Sequence, residues 1–351
     1  MAQAAISTAP ARLARLDGLR GIAACGVAFG YHMQLLFAPG AFDTGIAPID
    51  WLHRSGWLFV DMFFVLSGYI FAHVYVGREL LKDGRSLADF AVARIARLYP
   101  LHLLMLLVTA LLFWAKPENT ALNFALNLGM LQVFATPLAH NFDGPSWSLS
   151  VEMVCYALFG VGAAAGKRGL RLAIAVAIAL SFVSLLSHAA PDGPYGRDNF
   201  PRGLLGFFLG QALWQLREPL ARVPGWVFAA LIVVGALIPP ETIGVILPLA
   251  LVSFPAALLL GLRLPILESR PLVWLGDRSY AIYLIHMPLL DLFLQWHAPL
   301  GGSPLAIIAA SLGFIGLILL LSELAFHWVE APARRAIRAA WVQRSPHLAP
   351  V

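Results

Sequence analysis

Eleven apolar runs, several of them about 17–22 residues long, occupy most of this chain, at about 18–37, 57–76, 99–115, 121–137, 147–165, 171–188, 203–216, 225–240, 243–262, 279–296 and 304–328. A helix of ~20 apolar residues crosses the ~30 Å hydrocarbon core of a bilayer. A water-soluble core cannot absorb so many. Only 12% of the 351 residues are charged, about half the ~25% that covers the surface of a soluble domain. The sequence therefore predicts an all-α polytopic membrane protein.

Short polar breaks separate the runs, and their charges set the orientation. With a cytoplasmic N-terminus and every run crossing except 121–137, 20 of the 24 Lys and Arg fall on the cytoplasmic side. Only Arg54, Lys116, Arg197 and Arg202 lie outside. If 121–137 crossed as well, every later loop would change sides and this bias would collapse. That run also carries Asn123, Asn127 and Gln132, which suit a re-entrant or protein-buried stretch. The expectation is ten transmembrane helices plus one re-entrant or buried segment. They form one membrane domain over 1–351, with cytoplasmic tails at 1–15 and 331–351.

The formal charge of +5 collects in these loops, so it reads as orientation and not as a nucleic-acid surface. Cys25 and Cys155 both sit in apolar runs, which gives no disulfide framework. Residues 1–15 lack a short apolar core with a small-residue cleavage site, so the first run is expected to stay in place as a signal anchor.

Six stretches carry ionisable or aromatic residues where a membrane makes them costly. In Leu16-Asp17-Gly18-Leu19-Arg20-Gly21, Arg20 opens a helix that holds His32 twelve residues on, about 18 Å along a regular helix. An imidazole at that depth faces a cavity or a partner. It suits a general base, but it equally suits a histidine bonded to a neighbouring helix. Asp61 precedes Phe63-Phe64-Val65-Leu66-Ser67-Gly68; it can pair with a basic group, orient His32 or cap the helix, and Ser67-Gly68 permits close helix approach. Arg94 and Arg97 are three apart on one helical face, forming a fork for phosphate or carboxylate or plain interfacial anchors. Ser148 and Glu152 face together after Trp147, itself a natural interface anchor. Ser279 reads as an N-cap before Tyr280, with Tyr283 and His286 sharing the next face. Glu330 follows the last run.

Taken in this order, the stretches resemble acyltransferase family 3, typified by O-antigen, exopolysaccharide and Nod-factor O-acetyltransferases, over roughly residues 15–335. The combination of Leu-Asp-Gly-Leu-Arg-Gly with a following histidine, Phe-Phe-Val-Leu-Ser-Gly, Arg-x-x-Arg-x-x-Pro and Trp-Ser-Leu-x-x-Glu is specific, although no single motif is. The resemblance implies that Arg20 and His32 are the essential arginine and histidine of the first helix, that Arg94 and Arg97 meet the donor, and that Glu330 is the glutamate after the last helix. Beside it, Asp61 and Glu152 are expected to join His32 in catalysis, and Arg20, Tyr280 and Glu330 to join the arginine pair at the donor site. Two departures stand out. The family usually places ten residues between arginine and histidine, whereas eleven (21–31) intervene here, which in a regular helix turns His32 by about 100° unless a π-bulge absorbs the extra residue. Ala331 stands where the family often has a basic residue.

The resemblance implies a bacterial inner-membrane enzyme that moves an acyl group, expected to be acetyl, from cytoplasmic acyl-CoA to a hydroxyl of a glycan or lipid-linked sugar at the outer face. Acetyl-CoA or another acyl-CoA is then the co-substrate, with no metal; membrane lipid and the acceptor are the partners. The alternatives are a transporter or flippase for a polar solute, for which no internal repeat is evident, and a non-catalytic scaffolding subunit.

Overall fold

The computed structural model describes residues 13–40, 44–77, 81, 83–134, 141–187 and 198–343. Of the basic residues that orient the chain, Arg12, Arg78, Lys82, Arg197 and Arg344 lie outside the described residues, as do positions 135–137 of the segment expected to be re-entrant or buried. Everything described is helix, turn or loop, apart from one isolated bridge between Phe37 and Leu300.

The chain enters α1 (Ala14–Cys25), which continues as a π-helix over Gly26–Tyr31 and a 3₁₀ turn over His32–Leu36. After α2 (Ala47–Ser55), α3 (Phe59–Phe71) carries Asp61 and the Phe-Phe-Val-Leu-Ser-Gly motif. The helix α4 (Gly84–Phe113) begins 15 residues before the apolar run that announced it. A capping box explains the early start: Asp83 accepts from the Ser86 N–H at 2.7 Å and its own N–H donates to the Ser86 hydroxyl at 3.1 Å. The Ser86 N–H holds the Asp83 carboxyl below its usual range. Arg94 and Arg97 are thus mid-helix, upstream of an internal Pro100.

Between α4 and α6 (Trp147–Ala164), α5 (Ala121–Leu128) has eight residues, about 12 Å and far too short to cross a bilayer. Its Asn123 and Asn127, and Gln132 beyond it, are buried. They bond inward, with Asn127 Nδ2 donating to Asn141 at 2.6 Å and Gln132 donating to Ser146 O at 2.7 Å. The amides in this run are a polar plug in the bundle.

The remainder comprises α7 (Gly166–Ser187), α8 (Asn199–Gln215), α9 (Arg217–Ala221), α10 (Gly225–Leu237), α11 (Pro240–Ile243), α12 (Ile246–Pro248), α13 (Phe254–Gly261), α14 (Arg270–Trp296), α15 (Pro304–Ala325) and α16 (Ala331–Gln343), with a π-helix over Phe326–Glu330. Five described stretches, 47–76, 84–113, 144–164, 166–187 and 304–343, are long and apolar enough to cross a membrane by length and composition, and two shorter apolar helices accompany them. The path 14–36 and α14 fall outside that set. They carry Arg15, Asp17 and Arg20, and Asp277, Arg278 and Asp291, of which Arg20 lines the central cavity.

Two glycine-mediated contacts fix the centre of the bundle. A Cβ on Gly68 of α3 would lie 1.8 Å from Phe207 O of α8, and one on Gly276 of α14 would lie 2.1 Å from Asp17 O of α1. No side chain fits at either point, so the backbones approach as closely as small residues allow. α14 also corrects one sequence expectation. The helix starts at Arg270, so Ser279 is not an N-cap but a mid-helix residue, whose hydroxyl donates to Gly276 O at 2.8 Å and accepts from Arg20 Nε at 3.0 Å.

Candidate active site

The close packing of α1 on α14 brings Arg20 and His32 onto polar partners of α14. Arg20 donates through Nη2 to Gly276 O and Asp17 Oδ1, each at 3.0 Å, and through Nε to Ser279. Farther along the same two helices, His32 Nδ1 lies 3.0 Å from His286 Nε2. Residues 276, 279, 283 and 286 form one face of α14, since spacings of three and four align on a helix. Arg20 and His32 both reach that face although eleven residues separate them. The π-helix Gly26–Tyr31 is the reason: its wider turn takes up one residue and returns His32 to the register of a shorter spacing.

Between α1, α3, α4, α6 and α14 lies a cavity of about 150 Å³, lined by Arg20, Ser67, Arg94, Arg97, Ser148, Glu152, Tyr156, Tyr280 and Tyr283 among others. A space of that size holds a small organic group. Three guanidiniums border it with one carboxylate. Arg94 lies 4.9 Å over the Phe71 ring and donates to the Tyr75 hydroxyl at 3.3 Å, a cradle that aims its fork by cation–π attraction. Arg97 pairs with Glu330 at 3.2 Å and lies 5.8 Å from the Tyr280 ring. Glu330 ends the π-helix Phe326–Glu330 and is 3% exposed. Tyr280 itself donates to Leu98 O at 2.6 Å, which locks α14 to α4. Glu152 accepts from Ser67 Oγ at 3.1 Å and from the Tyr156 hydroxyl.

His32 lines a second, smaller cavity of about 10 Å³ with Val27, Trp57, Val60, Pro145, Trp147 and Tyr283. That volume holds about one water-sized atom. Val60 and Tyr283 border both cavities, and the Tyr283 hydroxyl is tied to Pro145 O at 3.0 Å. The two side chains form a partition between the arginine-rich chamber and His32.

Arg20, Arg94, Arg97, Tyr280 and Glu152 therefore converge on one chamber, His32 stands beyond its partition, and Glu330 backs Arg97. Asp61 is placed elsewhere. It is wholly buried and bonds Arg202 at 3.0 and 3.1 Å. The Arg202 guanidinium lies 4.5 Å over Trp57 and 5.5 Å over Trp147, two walls of the His32 cavity. Trp147 is 2% exposed, so it is an interior wall and not an interface anchor. Arg202 and Tyr156 join the candidate site from the structure alone; in the sequence Arg202 is one basic residue before a short apolar run, and nothing there names its partner. Among the described residues no cluster of three or more His, Cys, Asp or Glu is arranged to hold a metal ion.

The family model for the acyltransferase domain of this type matches residues 13–323, nearly the whole chain and every stretch that builds the chamber. The chain belongs to acyltransferase family 3. Among curated relatives it is 30% identical over 313 residues to the acyltransferase MdmB of Streptomyces mycarofaciens, covering 78% of each chain. It is 24% identical to the peptidoglycan O-acetyltransferase OatA of Listeria monocytogenes, over 91% of this chain and 55% of that protein. It is 23% identical to the O-acetyltransferase OatA of Staphylococcus aureus, over 93% of this chain and 58% of that protein. The chain thus spans little more than half the length of the OatA proteins. No solved structure matches it. For this acyltransferase the arginine chamber and His32 are the places to seek the reacting groups.

Proposed function

We propose that this membrane O-acyltransferase uses acyl-CoA, chiefly acetyl-CoA, taken from the cytoplasm, and acylates a hydroxyl of a glycan or lipid-linked sugar at the outer face. The observation that carries the reading is the chamber bordered by Arg20, Arg94 and Arg97, which shares Val60 and Tyr283 as lining with the cavity of His32. Guanidinium forks suit the phosphates of a CoA donor. The thioester arm then extends toward the partition, and the acceptor hydroxyl approaches His32 from the other side. The unprotonated ring nitrogen of His32 takes the hydroxyl proton as the acceptor oxygen bonds to the thioester carbon. The C–S bond breaks, the CoA thiolate leaves, and His32 returns the proton to it. Glu152, held by Ser67 and Tyr156, orients the arm within the chamber.

The reading also includes the ten-crossing topology with both termini cytoplasmic, one membrane domain over 1–351 and a bacterial inner-membrane location. A reporter fused at residue 140 is expected on the outer side and one at 168 on the cytoplasmic side. A cytoplasmic signal at 140 would mean that 121–137 crosses. The decisive test is enzymatic: purified protein with acetyl-CoA and a membrane acceptor extract should release CoA thiol and transfer radiolabelled acetyl to the acceptor fraction. Labelled acceptor with wild-type protein and none with His32→Ala supports the assignment. Equal labelling by both ends the role of His32.

A further inference from the structure

His32 has two ring nitrogens, and only one of them can carry the proton while the ring serves as a base. The geometry around His286 decides which. His286 is fully buried. Its Nδ1 lies 3.1 Å from Ile282 O, one helical turn back on α14. A carbonyl oxygen only accepts, so His286 Nδ1 carries a hydrogen. In a neutral ring the other nitrogen, Nε2, is then an acceptor, and it lies 3.0 Å from His32 Nδ1. A second lone pair there would repel it, so His32 Nδ1 is the donor and the basic lone pair of His32 sits on Nε2.

We infer that His286 is a positioning residue that holds His32 in the Nδ1-protonated tautomer and keeps Nε2 as the base, through the chain Ile282 O, His286, His32. This rests on the reading of His32 as the general base given above. The arrangement also accounts for the imidazolium that forms when His32 takes a proton: its Nδ1–H keeps an acceptor in His286 Nε2, so the new charge arises beside an oriented lone pair. The glycine contact of Gly276 against Asp17 O and the π-helix Gly26–Tyr31 set the approach of the two rings, whose centroids lie 5.0 Å apart.

The test separates tautomer control from packing. His286→Leu keeps the volume and removes the acceptor, whereas His286→Gln returns an oxygen able to accept from His32 Nδ1. Full-length protein in detergent is assayed for acetyl transfer, with kcat and the KM for acetyl-CoA measured separately. His286→Leu should lower kcat on the order of 10²–10⁴-fold, the span seen when a base is lost or left in the wrong tautomer, with KM changed less than about threefold. His286→Gln should recover at least about tenfold over His286→Leu. Equal loss in both variants, or near-normal kcat in His286→Leu, overturns the inference. Activity in His32→Ala would instead sink the underlying reading, so the two failures are distinguishable. A measurement on the wild-type protein does not depend on any variant folding: ¹⁵N-histidine spectra, with the His32 signals assigned by their loss in His32→Ala, should show a protonated Nδ1 and an unprotonated Nε2 on His32. The opposite tautomer refutes the proposal.

Discussion

Asp61 on α3 and Arg202 on α8 form a bidentate ion pair at 3.0 and 3.1 Å, with side chains 0% and 1% exposed. Neither charge has water to fall back on, so each depends on the other, and removing one leaves the other stranded at a cost of about 3–5 kcal/mol. Asp61→Leu alone should therefore lower the thermal midpoint of the detergent-solubilised protein sharply. The double variant Asp61→Leu with Arg202→Met should recover most of that loss, because an apolar pair of similar size avoids the stranded charge. A single variant as stable as wild type would mean that the pair is not intact in the folded protein. The same double variant should still lose activity, since Arg202 holds Trp57 and Trp147 against the His32 cavity.

Arg94 and Arg97 differ in their supports, and their variants should differ accordingly. Arg94 rests on Phe71, Tyr75 and Tyr156, a setting in which a planar guanidinium and an ammonium are not equivalent. Arg94→Lys should raise the KM for acetyl-CoA nearly as much as Arg94→Ala. A lost charge-assisted contact is worth about 1.5–3 kcal/mol, which is about 10- to 150-fold in KM. Arg97→Ala should add a stability loss, because Glu330 would be left buried without its partner. Unchanged KM in all three variants would remove the pair from the donor site.

The partition between the two cavities offers a handle on acyl length. Val60 and Tyr283 line both the chamber and the His32 cavity. Val60→Ala widens the gap by two methyl groups, and each buried methylene admitted is worth about 1 kcal/mol in selectivity. The ratio of butyryl-CoA to acetyl-CoA turnover should therefore rise by about tenfold or more. Tyr283→Phe should mainly loosen the Pro145 anchor and change that ratio far less. An unaltered ratio in Val60→Ala would place the length limit elsewhere.

Periodicity and charge made much of the architecture legible. Run lengths announced apolar helices, and Asn123, Asn127 and Gln132 marked a segment whose helix is short and whose amides are buried. Spacing of three and four correctly put Arg94 beside Arg97 and Ser148 beside Glu152. What spacing could not supply was contact between distant helices. Arg202 reaches Asp61 across 141 residues, and His286 reaches His32 across 254. Such pairs are decided by which helices pack, and packing here turns on Gly68 and Gly276, which look ordinary in a glycine-rich membrane chain. Hydrophobicity does not show a helix start where a polar turn precedes an apolar run. Asp83-Gly84-Arg85-Ser86 caps α4 well before hydrophobicity rises, and Ser269 precedes an α14 that already runs through Ser279.

The spacing of Arg20 and His32 gives the sharpest test. Eleven intervening residues would turn His32 away from α14 in a regular helix by about 100°, yet Arg20 meets Gly276 and Ser279 while His32 meets His286 on the same face. The π-helix Gly26–Tyr31 reconciles the two, and π-bulges of this kind are costly local features kept mostly at functional sites. Deletion of Ala28 should let the shortened chain relax to a regular α-helix in which His32 keeps its register with ten residues intervening, so activity should survive within about tenfold with a higher thermal midpoint. Inserting one alanine after Ala28 adds a residue that the existing π-turn cannot absorb; it should swing His32 off His286 and abolish transfer, while chamber residues and acetyl-CoA binding are spared. Full activity in the insertion variant would show that His32 needs no fixed register on α14. The acetyl-transfer assay and an acetyl-CoA binding isotherm together read the result.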